Sequence, residues 1–87
     1  MRTLNNTKKT AVDWHRADIK AALAKKGWSL RQLSLYHGYS NGSTLKNALD
    51  RPWKKGERLI AEAIGVPPEE IWAARYAERN LKKFANK

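Results

Sequence analysis

The chain has 87 residues and a formal net charge of +10, from 18 Lys and Arg against 8 Asp and Glu. That length sets one domain with a modest core, and the lack of cysteine excludes disulfides and thiolate metal sites. Apolar runs of only a few residues exclude a spanning helix, and so strong a positive charge points to a polyanionic partner.

Residues 1–12 carry Arg2, Lys8 and Lys9 and no acid, and read as a disordered basic arm. The start MRTLNNTKK has no apolar segment, so no secretory signal is expected and the cytoplasm is the expected location. Asp13 then opens DWHRADIKAALAKKG as an N-cap, with Thr10 as a competing start. Ile19, Ala22 and Leu23 share one face of this first helix, and Gly27 ends it.

Ser29 and Gln32 form a capping box for a short second helix over about 30–37, with Leu30 and Leu33 inward. Gly38 ends that helix. LYHGYSNGSTLKNA follows, a polar stretch in the middle of the chain. A third helix is expected over about 41–50, capped by Ser40, Asn41 or Ser43 and stopped by Pro52. Gly56 to Ile64 is a fourth helix that buries Leu59, Ile60, Ala63 and Ile64. Pro67-Pro68-Glu69-Glu70 starts a short fifth, with Ile71 and Trp72 as its apolar residues. From residue 73 the apolar trace is faint, and 77–87 reads as a basic C-terminal tail or frayed helix.

Two short helices joined by a glycine-containing turn make a helix-turn-helix. Ser34 is the small residue where the two helices cross, Gly38 accepts positive φ, Tyr39 locks the turn, and Leu45, Ala48 and Leu49 point inward. Leu45 lies one residue further from Gly38 than the commonest pattern places its first inward aliphatic, so an extra residue is expected around Asn41-Gly42. The polarity of the stretch then has a reason. The outer face of helix three must be compact enough to enter a major groove about 12 Å wide. Ser40, Asn41, Ser43 and Thr44 offer small hydrogen-bonding groups there. Asn47 suits a paired contact with adenine, and Lys46 a guanine edge or a phosphate. Ser29, Arg31 and Gln32 start the helix that crosses the backbone in this motif, while Arg51, Lys54 and Lys55 fall near flanking phosphates.

Blocks DWHRADI, LSLYHGYSNGSTLKNAL, KGERLIAEAIG and EEIWAARY, in order from Asp13 to Tyr76, resemble the Ner family, the small regulators of Mu-like phages and their bacterial relatives. The resemblance implies an all-α, five-helix, lambda-repressor-like domain over 13–76 and sequence-specific binding of double-stranded operator DNA, with repression of early phage promoters. A monomer in solution is expected, with two copies pairing on a two-fold DNA site as the way so small a domain covers an operator.

Less pointed readings stand beside these. Trp14, Trp28 and Trp72 are expected at the core or its rim, and Trp53 either packs on the core or lies along the sugar–phosphate chain. His15 and His37 have no ligand cluster near them, so packing or capping is expected and no metal. Glu57 and Glu62 are read as solvating helix four. No phosphate loop, carboxylate pair or triad is visible, so neither an enzyme nor a cofactor is expected. The rival readings are an RNA or architectural protein that binds through charge and tryptophan without reading bases, and a protein-interaction module.

Overall fold

The computed structural model describes residues 12–85, with side chains described through Leu81, so the expected basic arm lies almost wholly outside the described residues. Six α-helices occur in this span: α1 Arg16–Lys25, α2 Leu30–Tyr36, α3 Asn47–Asp50, α4 Lys54–Ile64, α5 Pro68–Ile71 and α6 Ala73–Ala85. A 3-10 turn, Thr44–Lys46, runs straight into α3. No strand is present among the described residues.

The core forms where the apolar stripes meet. Ile19 and Leu23 of α1, Leu33 of α2, Leu45 and Ala48 of the third helical segment, Ile60, Ala61 and Ile64 of α4, and Ile71 and Trp72 are all buried. α4 packs against α1, α3 and α5. Trp72 is buried in this cluster and Trp14 and Trp28 pack against its edge, as expected, while Trp53 packs there too, the first of the two alternatives left open for it.

Asp13 does not cap α1. His15 does, its Nδ1 accepting from Ala17 N–H. The chain before it is committed elsewhere: Trp14 N–H donates to Ile71 O at 2.8 Å. Asp13 Oδ1 accepts from the N–H groups of Ala74 and Arg75, at 2.9 and 3.3 Å. Asp13 therefore caps α6, 61 residues away along the chain.

The stretch read as a tail continues as a helix through Ala85. What holds α6 is charge. Glu57, expected to be solvated, has no exposed surface. Its carboxylate accepts from Trp53 N–H at 2.9 Å, from Arg75 Nη1 at 3.0 Å, and from both Nη atoms of Arg79 at 3.0 and 2.9 Å. Burial alone would push this carboxyl up. The hydrogen bonds from Arg79, Trp53 N–H and Arg75 outweigh it and hold Glu57 below the ordinary glutamate value of 4.5.

A carboxyl lowered in the folded state stabilises above its ordinary value, and that contribution is lost as pH falls through the folded value. Glu57→Gln should thus cost about 3 kcal/mol at neutral pH, because it strands two arginines beside an amide. Its deficit against the parent chain should shrink below about pH 4.5. Urea unfolding at pH 7 and at pH 3 measures both.

Candidate nucleic-acid interface

The crossing of α2 with the third helical segment is built on one hydroxyl. Ser34 is fully buried. Its Oγ donates to Leu30 O at 2.8 Å and accepts from Leu45 N–H at 3.1 Å. Leu45 N–H belongs to the open first turn of its helix and faces no water, so this bond satisfies a donor that nothing else reaches. Tyr39 N–H donates to Ser34 O, and Gly38 turns the chain with φ of 89°. A side chain at Gly38 would be strained by this backbone.

The third helix starts later than the expected 41. Asn41 is the reason. Its Oδ1 accepts from Ser43 N–H at 2.8 Å, and its carbonyl accepts from both Thr44 N–H and Thr44 Oγ1. Residues 40–43 are thereby held as an open turn and the helix begins at Thr44. The extra residue sits where the spacing placed it: Leu45 is buried and Thr44 only partly so.

Thr44–Asp50 presents two flanks. On one, a groove of about 350 Å³ is lined by Lys20 of α1, Trp28, Ser29, Gly42, Ser43 and Lys46. On the other, a cleft of about 430 Å³ is lined by Tyr39, Thr44, Asn47, Arg51, Pro52 and Trp53. Ser40, Asn41, Lys46, Asn47 and Arg51 are exposed around these flanks. The stem of Arg31 lies over Gly42 beside the first groove. Lys54 and Lys55 are exposed in the first turn of α4, which starts two residues before the expected Gly56.

The acids nearby are neutralised. Asp50, at the end of α3, is paired with Arg16 of α1. The Arg16 guanidinium holds its carboxyl below the ordinary aspartate value of 3.8. Behind the face, Arg75 donates to the carbonyls of Ala48 and Leu49, which the short α3 leaves open. The front of the helix is thus cationic and its back is hydrogen-bonded to α6.

A family model described as winged helix-turn-helix DNA-binding matches residues 13–87. The Mu-like prophage FluMu DNA-binding protein Ner of Haemophilus influenzae is 59% identical over 83 residues, covering 94% of this chain and 92% of that protein. The chain belongs to the Ner family. The "Negative regulator of transcription" of Escherichia phage Mu is 53% identical, covering 76% of this chain and 87% of its own length. Sugar fermentation stimulation protein B of Escherichia coli K12 is 49% identical, covering 87% and 82%. The NMR solution structure of the Mu Ner protein matches with a TM-score of 0.65 at 53% identity, over 74% of this chain and 85% of that one.

In this Ner-family chain the expected site residues divide among several positions. Ser29, Ser43 and Lys46 meet on one groove, and Thr44, Asn47 and Arg51 on the other cleft. Ser29 and Gln32 cap one another: Gln32 N–H donates to Ser29 Oγ at 3.0 Å, and Ser29 N–H to Gln32 Oε1 at 3.1 Å. Asn41 and Thr44 likewise spend groups on the turn. Residue reading overlooked Arg16, Lys20 and Arg75, whose places follow only once the crossings of α1 and α6 with the third helix are known.

Ser34→Ala should leave Leu45 N–H buried without a partner and cost about 1–3 kcal/mol in chemical denaturation. Ser34→Gly removes the same hydroxyl and should not recover the loss.

Proposed function

We propose that this chain binds double-stranded DNA, reads base edges in the major groove with Thr44–Asp50, and represses transcription from phage or prophage promoters. The observation that carries the reading is the arrangement of Thr44, Asn47 and Arg51 along one outward line of a helix wedged against α2, with cations on every side and the one acid of that helix paired to Arg16. Ner relatives named as DNA-binding proteins and as negative regulators of transcription support the partner and the sign. Asn47 is the residue for a paired adenine contact, and Thr44 and Lys46 neighbour it. Ser40, Asn41, Ser43 and the start of α2, with Ser29, Arg31 and Gln32, meet the backbone on one side. Lys54, Lys55 and Arg51 meet it on the other. Lys20 of α1 joins the first group. The protein is a monomer that pairs on a two-fold site, and it works where the DNA is, in the cytoplasm. No helix among the described residues is long and apolar enough to cross a membrane.

Selection of bound duplexes from a random pool at near-physiological salt tests the reading. An enriched motif is the expected outcome, with its symmetry giving the number of copies bound. Binding without enrichment would instead favour an architectural or RNA-binding role driven by charge.

On the selected site, Asn47→Ala should relax discrimination at one base pair by about 1–3 kcal/mol. Lys54→Ala and Lys55→Ala should weaken all duplexes alike and each lower the slope of log K against log salt by about one. Titrations at several salt concentrations separate the two classes.

A further inference from the structure

The cleft beside Asn47 is more than a gap between phosphate contacts. Its walls are aromatic and fixed. Tyr39 and Trp53 meet edge to face, with ring centroids 6.0 Å apart at 66°. The indole of Trp53 lies against Gly56, where a Cβ would come within 2.4 Å of it, and the backbone N–H of Trp53 donates to the buried Glu57. Pro52 adds a further rigid apolar wall.

Thr44 forms the side toward the recognition turn. Its hydroxyl donates to Asn41 O at 2.8 Å, so its hydrogen-bond donor is spent on the protein. What the side chain has left for a ligand is its methyl group and the acceptor lone pairs of its oxygen. Asn47 stands three residues along the same cleft with its amide uncommitted among the hydrogen bonds of the described residues, and Arg51 stands at the rim.

We propose that this cleft receives the C5-methyl group of a thymine in the major groove, next to the base that Asn47 reads. The inference rests on the duplex-reading assignment of Thr44–Asp50 and deepens it. Thymine is the one standard base that carries a methyl on its major-groove edge. An apolar recess beside an amide, with Arg51 at its rim, suits that edge in polarity and charge. Under this assignment Thr44 determines specificity by contact of its methyl group, and Trp53 is a positioning residue for the recess.

The test uses the full chain and the duplex that it selects. Each thymine is replaced in turn by deoxyuridine, which deletes one methyl and leaves every hydrogen-bonding group in place. One position in each half-site should lose about fourfold in affinity, the worth of one buried methylene. Thr44→Ser keeps the hydroxyl bond to Asn41 O and removes only Cγ2, so in that variant the deoxyuridine penalty at the same position should fall to less than twofold. Circular dichroism and a thermal melt check that the variant is folded. Base-specific binding with no thymine that responds to deoxyuridine would overturn the inference and leave the duplex-reading assignment intact. So would a penalty in Thr44→Ser equal to the parent's. Binding with no base preference would overturn both.

Discussion

A single buried carboxylate ties the start of α4 to α6. Glu57 sits in the first turn of α4, collects hydrogen bonds from Trp53, Arg75 and Arg79, and has no surface of its own in water. A lone buried carboxylate would be costly, and these partners offset that cost. The pairing also makes Arg75 available to the open carbonyls at the end of α3. Four residues between Asn47 and Asp50 form too short a helix to persist alone. It persists because Ser34 satisfies its start, Arg75 its end, and Leu45 and Ala48 its underside.

Charge is sorted by the fold. Asp13, Asp50 and Glu57 each have an arginine partner, so several of the acids are spent on holding helices together. The cations without such work, among them Arg31, Lys46, Lys54 and Lys55, stand exposed around Thr44–Asp50. These exposed cations give that face a positive local field, the kind of field that attracts a polyanion.

Much of the frame was legible in the residues. The Ser29–Gln32 capping box, the Gly38 turn, Ser34 at the crossing and the one-residue delay of Leu45 all act within a few positions, where spacing constrains geometry tightly. The family resemblance extended that frame to DNA binding. The misses have one physical cause. α6 attaches through Arg75 and Arg79 beside Tyr76, so much of its inner face is charged and apolar periodicity showed it only faintly. Glu57 had the look of a solvated acid for the same reason, since its partners lie 18 and 22 residues ahead. Asp13 carried a good N-cap signal and does cap a helix, but a distant one that only the folded chain brings near.

That distant cap does not hold α6 alone. The bonds from Asp13 to Ala74 and Arg75 join the start of the described chain to α6. They are few, and they lie at the edge of the apolar cluster. The bonds of Arg75 and Arg79 to buried Glu57 back them, so α6 is attached at two places. Arg75 belongs to both attachments, through Asp13 and through Glu57, and it also serves the last carbonyls of α3. One guanidinium thus links the start of the described chain, its middle and its last helix, so displacing α6 would also strip the end of α3 of its partner.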